Sequence, residues 1–474
     1  MSPPDAVRHV PKPLSEAVPP VVAALVDPAC ADRLVLYLGA GVSIPPPASG
    51  PRGDQVADRL RPIVAELLGV STGDLPEENL ESLATRVERD SPDRLGELRT
   101  RAAEAWAFRD MEPNYGHEML ALLLREGLSQ AVSANWDCGV ENGGRRVEVA
   151  IEGVSRDLDL LHLPSGALPL YKVHGCARRP ETLVLTADEV DQPRLWARAK
   201  VQNALTAGTV VFLGLGTVGA YVSEPVLGLF ELWVGETSSV RVIDPFGLSD
   251  TWSKLLEQHA DAVSIVMDAD DFLDDLGRAI VSRALSRTGE AARDLHGNEQ
   301  QGWSAAGVSG HGALVAALSD IPADAVLRWW RGGVTNALDG KTFLFDRAGQ
   351  IALMCVAQLA ATDGGNVLAA GSDGALTVRS STRYFEIACR PQEHWTTVRQ
   401  VARARVELRR RAGYYGPGAS VTVAIAAATG AFPAISAPAD IAGSTSDGPD
   451  VADGGSELLQ IVRAEDALDG RLAA

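Results

Sequence analysis

Three polar side chains follow short apolar runs in this sequence, at the position where an open α/β sheet places its ligand-binding groups. Asn135 and Asp137 come just after the run 129–133, and His174 follows the run 168–173. An amide can orient a reacting oxygen without carrying charge, and a neutral imidazole can accept a proton near neutral pH. An Asx turn and a structural histidine are the alternative interpretation.

A second candidate is the glycine-rich turn after the apolar run 34–38. Gly39 and Gly41 allow a tight turn whose backbone can lie against a phosphate, and Ser43 adds a hydroxyl. The pattern indicates the start of a nucleotide pocket. A glycine turn that only leaves a core strand has the same sequence, so this stretch does not separate the two interpretations.

A literal G-x-G-x-x-G follows another apolar run at 210–213. Its glycines are Gly214, Gly216 and Gly219, and the next apolar run ends in Asp244. By itself this is the dinucleotide fingerprint with its ribose-binding acid. It is also similar to the adenylating fold of ubiquitin-activating enzymes, but there the nucleotide strand normally opens the domain, and here a long α/β pattern precedes it.

Hydrophobic periodicity predicts the elements that position these residues. Short continuous apolar runs are typical of strands buried in a parallel sheet. The predicted strands lie at 34–38, 129–133, 168–173, 208–213 and 239–243. Helical periodicity at 56–68 and 80–125 predicts an α-helical insertion. The predicted fold class is therefore α/β, a Rossmann-like parallel sheet with a helical insertion, followed by a smaller α+β domain.

The composition indicates a soluble globular protein. Of 474 residues, 46% are hydrophobic and 22% are charged, and the net charge of −19 argues against broad binding to nucleic acid or anionic membranes. No apolar run has the length of a membrane span or a signal-peptide core, which favours a cytoplasmic protein. The five cysteines include no C-x-x-C pair, so we predict no metal site.

Four motifs, in order, resemble those of the sirtuin-like NAD-binding family. They are LGAGVS at 38–43, SANWD at 133–137, KVHG at 172–175 with VLTADE soon after, and VVFLGLGTV at 210–218. The likeness covers roughly residues 30–275. It is closer to the bacterial zinc-free members than to the histone deacylases, and the stretch PNYGHEMLALLLREG also looks like that branch.

The resemblance implies a role for each matching residue. Asn135 would position the attacking water or the sugar, His174 would be the general base, and Asp137 would lie beside the nicotinamide ribose. The implied contacts to the diphosphate and its ribose, to the far wall of the pocket and to the adenosine half of NAD are Gly39, Ala40, Gly41, Ser43, Gly214, Gly216, Thr217 and Asp244.

The implied function is that of an NAD glycohydrolase, which cleaves NAD to nicotinamide and ADP-ribose and acts as an effector in phage defence. The oxocarbenium-like sugar of this reaction demands orientation and a base, which Asn135 and His174 supply. The alternative is a module that binds NAD or an ADP-ribose derivative without turnover. Deacylation is disfavoured because the zinc-binding cysteine quartet is absent and PPPASGPRG replaces the deacylase loop. Trp136 replaces a smaller residue, which is tolerable.

Shifts in composition divide the chain into segments. We predict a flexible lead at 1–22, the NAD domain at 23–285, a linker at 286–312 and an α+β domain at 313–474, with a flexible acidic segment at 440–457. The second domain is expected to sense a phage-derived or partner-protein trigger, or to mediate assembly, and so to gate activity. The resemblance implies a homo-oligomer.

The C-terminal half has two further features with chemical potential. Asp373 and Glu386 have the separation of a restriction-type nuclease core, but Ala388 stands where the lysine belongs, which disfavours that function. The segment 396–413 is a basic helix, for which a solvated face is favoured over a phosphate or acidic partner. Its arginines are Arg403, Arg405, Arg409, Arg410 and Arg411.

Overall fold

The computed structural model divides the chain into two compact units. One contains residues 19–276, and the other contains residues 11–18, 277–334 and 342–474. The structure describes residues 9–27, 34–76, 79–127, 130–192, 194–206, 209–216, 240–256, 263–297, 311–331, 356, 366–370, 375–379, 383–389, 395–426, 450–451 and 459–463.

The first unit is built around a seven-stranded parallel sheet. Its strands are β1 (Val35–Leu38), β2 (Gln130–Ser133), β3 (Ile151–Val154), β4 (Leu168–Lys172), β5 (Val210–Leu213), β6 (Val240–Ile243) and β7 (Val263–Ile265). Their order is β3-β4-β2-β1-β5-β6-β7. In the centre, Leu38 of β1 lies opposite Ser133 of β2 and Leu213 of β5. Strands β2 to β4 lie on one side of β1 and strands β5 to β7 lie on the other. The strand order therefore reverses at β1, and the carboxyl end of β1 is a topological switch point, where α/β sheets bind ligands.

Helices cover this sheet and form the predicted insertion. They are α1 (Pro20–Ala23), α2 (Gly53–Leu68), α3 (Leu80–Asp90), α4 (Leu95–Glu104), α5 (Tyr115–Arg125), α6 (Gly139–Arg146), α7 (Asp157–Leu161), α8 (Ala187–Asp191), α9 (Leu195–Thr206), α10 (Asp250–Leu256) and the first residues of α11 (Ala269–Gly297), which continues in the second unit. Helices α2, α3 and α4 bury Leu60, Leu83 and Leu98 in a common core with Leu183 and Leu185, which follow β4. The insertion therefore packs beside the carboxyl ends of the strands.

The second unit contains a six-stranded mixed sheet. Its strands are β8 (Asn366–Ala370), β9 (Ala375–Arg379), β10 (Tyr384–Cys389), β11 (Val421–Ala426), β12 (Asp450–Val451) and β13 (Leu459–Arg463). Strand β10 pairs parallel with β11 and antiparallel with β9. Its helices are α12 (His311–Leu318), α13 (Ala323–Arg331) and α14 (Trp395–Arg411). The predicted fold class, a Rossmann-like sheet with a helical insertion and a smaller α+β part, is confirmed.

The basic helix α14 differs from the prediction of a solvated face. Glu386 of β10 is fully buried, and its Oε1 lies 2.6 Å from Arg409, while its Oε2 lies 3.6 Å from Arg405. Tyr415 and Thr377 also donate hydrogen bonds to Oε1, at 2.7 and 3.0 Å. This carboxylate is committed to internal partners and does not suit a nuclease metal site.

The predicted linker, acidic segment and domain boundaries can be compared with the structure only in part. Helix α11 continues to Gly297, within the range predicted as a linker. Asp373 and most of the segment 440–457 lie outside the described residues. The domain boundaries stay predictions. In the described part of the chain, no helix combines the length and the hydropathy needed to cross a bilayer.

Candidate active site

A pocket of about 420 Å³ lies at the carboxyl ends of β1, β2 and β4. The turn after β1 contributes Gly39 and Ala40, the loop after β2 contributes 134–137, and His174 follows β4. The insertion supplies Val56 and other residues at the start of α2 and α3. The pocket is therefore formed between the edge of the sheet and the helical insertion.

Six of the predicted site residues line this pocket. They are Gly39, Ala40, Ser43, Asn135, Asp137 and His174. Gly41, Gly214, Gly216 and Asp244 are not part of its lining, and Thr217 lies outside the described residues. Asp244 is half-buried after β6, where its Oδ1 accepts a hydrogen bond of 2.9 Å from the backbone N–H of Phe246.

The glycines of two strand ends pack directly on each other. The N–H of Gly41 donates to the carbonyl of Gly214 at 2.8 Å. A Cβ on Gly39 would lie 2.5 Å from that carbonyl oxygen, and Gly214 has φ of +65°. The glycines are therefore required for the close approach of the turns after β1 and β5. The packing of the two turns therefore accounts for part of the glycine pattern, independently of any contact to a phosphate.

Ser43 lies at the centre of a buried polar network. Its Oγ donates to Oδ2 of Asp137 at 2.9 Å and lies 3.0 Å from Nε2 of His117. The other oxygen of Asp137 accepts a 2.9 Å hydrogen bond from the N–H of Gly139, at the start of α6. The network therefore holds the loop after β2 against the turn after β1.

The hydrogen bonds of His117 determine its tautomer. Its Nδ1 accepts from the backbone N–H of Asn114 at 3.3 Å, so the neutral ring carries its proton on Nε2 and donates it to Ser43. Burial lowers the pKa of His117 to about 4; Asp137 offsets part of this effect and Lys172 adds to it. The ring is therefore uncharged at neutral pH, and protons in the network point from His117 through Ser43 to Asp137.

Asn135 joins the same turn. Its Nδ2 donates to the carbonyl of Gly39 at 2.9 Å and lies 3.4 Å from Oγ of Ser43. No described residue donates a hydrogen bond to its Oδ1. Because the amide nitrogen is held by the protein, the amide oxygen is the atom that can orient a ligand or a water molecule.

His174 is half-buried in the pocket wall, and its carbonyl accepts a 3.0 Å hydrogen bond from the N–H of Val184. Burial lowers the pKa of His174 to about 4. The ring is therefore neutral at neutral pH and can accept a proton.

A buried lysine supports the loop from below. Nζ of Lys172, at the end of β4, donates to the carbonyl of Asp137 and lies 3.5 Å from Oε1 of Glu141. Burial alone would lower the pKa of Lys172, but Glu141 and the nearby Cys176 outweigh it and the pKa is raised. The charged ammonium thus ties the loop after β2 to strand β4, which precedes His174.

Trp136, the unusual residue between Asn135 and Asp137, faces the helical insertion. Its ring packs edge-on against Phe108 with centroids 6.1 Å apart, and it contacts the core of the insertion. The larger side chain is accommodated because the insertion forms the opposite wall of the pocket.

His117 and Lys172 are not among the site residues predicted from the sequence. The signal for His117 is the spacing Asn114-x-x-His117, a capping box in which Oδ1 of Asn114 accepts from the N–H of His117 at 2.9 Å. The signal for Lys172 is a lysine that ends an otherwise apolar strand. Both are recognisable only when the neighbouring strand ends are known.

The fold and the pocket define an open α/β protein with a ligand site at its switch point. Residues 129–223 match the SIR2-like domain family. This segment is therefore similar to a SIR2-like domain, and the resemblance to the sirtuin-like NAD-binding family is confirmed. The matched segment contains Asn135, Asp137 and His174.

Similar solved structures include those of Sir2 proteins. A Sir2 homolog in complex with NAD is 16% identical, with 57% of this chain and 95% of that chain covered and a TM-score of 0.35. A Sir2 complex with a p53 peptide and NAD+ is 12% identical, with 51% and 90% covered and a TM-score of 0.30. Sir2Tm bound to a propionylated peptide is 14% identical, with 51% and 90% covered and a TM-score of 0.28. At such TM-scores the likeness carries no further argument. No curated protein matches the chain.

Proposed function

We propose that this protein is an NAD glycohydrolase, which uses water to cleave NAD into nicotinamide and ADP-ribose. The observation that carries the proposal is that Asn135 and His174 line one pocket with the turn Gly39–Ala40, in a chain with a SIR2-like domain. A protein that only binds NAD needs no base, and the pocket contains a neutral imidazole.

In the proposed reaction, the bond between C1′ of the nicotinamide ribose and the ring nitrogen breaks. Its electron pair neutralises the positively charged ring, which leaves as nicotinamide. Oδ1 of Asn135 accepts a hydrogen bond from the attacking water, whose oxygen bonds to C1′. His174 takes a proton from this water and later releases it to solvent. The products are nicotinamide, ADP-ribose and one proton.

The buried network is proposed to position these groups. The hydroxyl of Ser43 forms its hydrogen bonds with Asp137 and His117 inside the protein, so Ser43 holds the loop after β2 instead of serving as a nucleophile. Lys172 holds the same loop through the carbonyl of Asp137. These residues therefore contribute to the rate of the reaction because they hold Asn135 in position.

The test is nicotinamide release by the full-length protein with NAD. We expect Asn135→Ala and His174→Ala to lower the rate by about 10²-fold or more, the usual range for a positioned acid or base. His162→Ala, at an exposed histidine, is the matched control and should keep the full rate. Undiminished release from His174→Ala would reject the assigned base.

The second candidate is a sensor that binds NAD or an ADP-ribose derivative without turnover. It is favoured if calorimetry shows that the wild type binds NAD and no nicotinamide is released under any condition. For such a sensor, Asn135→Ala should weaken NAD binding, and neither the variant nor the wild type should release nicotinamide.

We further propose that the protein is a cytoplasmic phage-defence effector whose C-terminal part gates the enzyme in response to a phage-derived or partner-protein trigger. The support is the implied membership of the bacterial branch that lacks the zinc-binding cysteine quartet. Extract from phage-infected cells should accelerate nicotinamide release by the full chain, whereas extract from uninfected cells should not. Light scattering of the same samples would test the proposed homo-oligomer.

A further inference from the structure

Three side chains with metal-binding atoms meet below the pocket. Sγ of Cys138 and Sγ of Cys176 lie 3.8 Å apart, and with a carboxylate oxygen of Glu141 they fit within 4.8 Å of one another. All three residues are at most 1% exposed. Cys138 caps the start of α6 and Glu141 lies in its first turn, so the two share a helix face, and Cys176 approaches from the loop after β4.

The sulfur separation fits a shared metal ion. Two thiolates at about 2.3 Å from one tetrahedral zinc ion lie about 3.8 Å from each other, which follows from the tetrahedral angle. A disulfide requires sulfur atoms about 2.05 Å apart, so the two thiols would have to move together to form one. The two sulfur atoms therefore need to move little to bind one ion, and they would have to move further to form a disulfide.

The carboxylate of Glu141 gives a second, independent indication. Its Oε1 faces Lys172 at 3.5 Å, whereas its Oε2 is buried and has no hydrogen-bond partner among the described residues. A buried carboxylate oxygen without a partner is costly, and a cation is one way to satisfy it.

The charges also suit a divalent ion. With both thiols deprotonated, two thiolates and Glu141 carry three negative charges, and Lys172 supplies one positive charge. A divalent ion brings the cluster to neutrality, which is the favourable condition for buried charge.

We propose that Cys138, Glu141 and Cys176 form a buried structural site for a thiophilic divalent ion, with zinc as the best match. The two sulfurs and Oε2 of Glu141 supply three donor atoms, and one water molecule would complete a tetrahedral set. Two thiolate–metal bonds form, the two thiol protons go to solvent, and no atom is oxidised or reduced. Thiolate ligands select zinc-like ions over magnesium or calcium.

The position of the site indicates what a bound ion would do for the neighbouring loops. Cys138 directly follows Asp137, and Cys176 is two residues beyond His174. A bound ion would join the loops after β2 and β4 below the pocket, and so hold the residues that line it. This would replace our expectation from cysteine spacing of no metal, because Cys138-x-x-Glu141 and the distant Cys176 do not form a C-x-x-C pattern.

The experiment uses the reduced, full-length protein, stripped with a chelator and titrated with Co²⁺ as a spectroscopic probe. We expect thiolate-to-cobalt charge-transfer absorption and the visible bands of tetrahedral cobalt, saturating at about one ion per chain, and displacement of the cobalt by Zn²⁺. Zinc should raise the midpoint of thermal unfolding of the stripped protein.

Variants separate this site from adventitious binding. Cys138→Ser and Cys176→Ser should each abolish the charge-transfer bands, and Glu141→Gln should weaken cobalt binding by tenfold or more. Cys389→Ser, in β10 of the other unit, is the control and should leave the spectrum unchanged. Circular dichroism identifies a variant that fails to fold, and the wild-type titration stands without it. Absence of the bands in the wild type, or bands that persist in Cys138→Ser, overturns the proposal.

Discussion

At the scale of single residues, Ser43 shows how the surroundings decide the role of a side chain. Its type and its place after two glycines predict a contact to the diphosphate or its ribose. In the structure its hydroxyl donates to Asp137 and accepts from His117 inside the protein. It still lines the pocket, but its hydrogen bonds are occupied before a ligand arrives.

Replacing Ser43 should therefore affect both stability and activity. Ser43→Ala leaves Oδ2 of Asp137 and the Nε2–H of His117 without this partner, and the free energy of unfolding should fall by about 1–3 kcal/mol. The measurement is urea unfolding, with nicotinamide release in parallel. Ser165→Ala, at an exposed serine, is the matched control. Equal stability of the two variants would contradict the buried network.

His117 predicts how stability depends on pH. Its pKa is about 4 in the folded protein and about 6.5 when unfolded, so below pH 6.5 the unfolded state binds a proton that the folded state does not. Stability is then lost as the pH falls from about 6.5 to about 4. Between pH 7 and pH 5 the loss from this group is about 2 kcal/mol.

The test compares wild type with His117→Gln by urea unfolding at both pH values. Glutamine can donate to Ser43 but does not titrate, so the variant should lose about 2 kcal/mol less than the wild type between pH 7 and pH 5. The shared effect of His174 cancels in the comparison. Identical losses in both proteins would show that His117 is not buried in its neutral form.

At the scale of elements, the pocket depends on how the turns after β1 and β5 approach each other. Gly39 faces backbone atoms of Gly214 and Leu215, neither of which can move as a side-chain tip can. The glycine pattern that predicts a nucleotide turn is thus also a packing requirement between two parallel strands.

Gly39→Ala should accordingly be one of the most damaging small substitutions in the first unit. The added Cβ would lie 2.5 Å from Cα of Leu215, so a turn must shift, and we expect a loss of several kcal/mol or failure to fold. Gly53→Ala at the start of α2 meets no atom within 4 Å and should be neutral or slightly stabilising. Urea midpoints measure both; similar midpoints would reject the close approach.

At the scale of the whole molecule, each unit has its own buried polar centre. In the second unit this centre is Glu386, whose partners come from β9, from α14 and from Tyr415 beyond it. Nearby, the indole N–H of Trp329 donates to the carbonyl of Ile387 at 2.6 Å. The cluster joins β9, β10 and α14, and Tyr415 follows the end of α14.

Removing the charge of Glu386 should loosen that unit. Glu386→Gln leaves Arg409 and Arg405 facing a neutral group, and breaking a buried pair in this way typically costs about 3–5 kcal/mol. Hydrogen-exchange mass spectrometry should show faster exchange in β9, β10 and β11, with β1 and β2 unchanged. Glu407→Gln, at an exposed pair on the same helix, is the control. Unchanged exchange in β10 would contradict the prediction.

The sequence determined much of the architecture and the identity of the pocket residues. The central strands β1 and β5 were predictable because they are buried on both faces, and a strand in that position must be continuously apolar. Strands β2, β4 and β6 were also predicted from apolar runs. The short strands β3 and β7 at the edges of the sheet were not predicted. Polar residues at the strand ends were recognisable for a similar reason, since the carboxyl edge of a parallel sheet is where such groups are useful.

Only the tertiary structure decided which of these side chains are available to a ligand. Ser43 and Asp137 are bonded to each other and Glu386 to arginines, while Cys138 lies beside a cysteine many residues away, and no local pattern contains those pairings. The physical reason is that hydrophobic periodicity is read along the chain, whereas a hydrogen bond or an ion pair depends on distances across it.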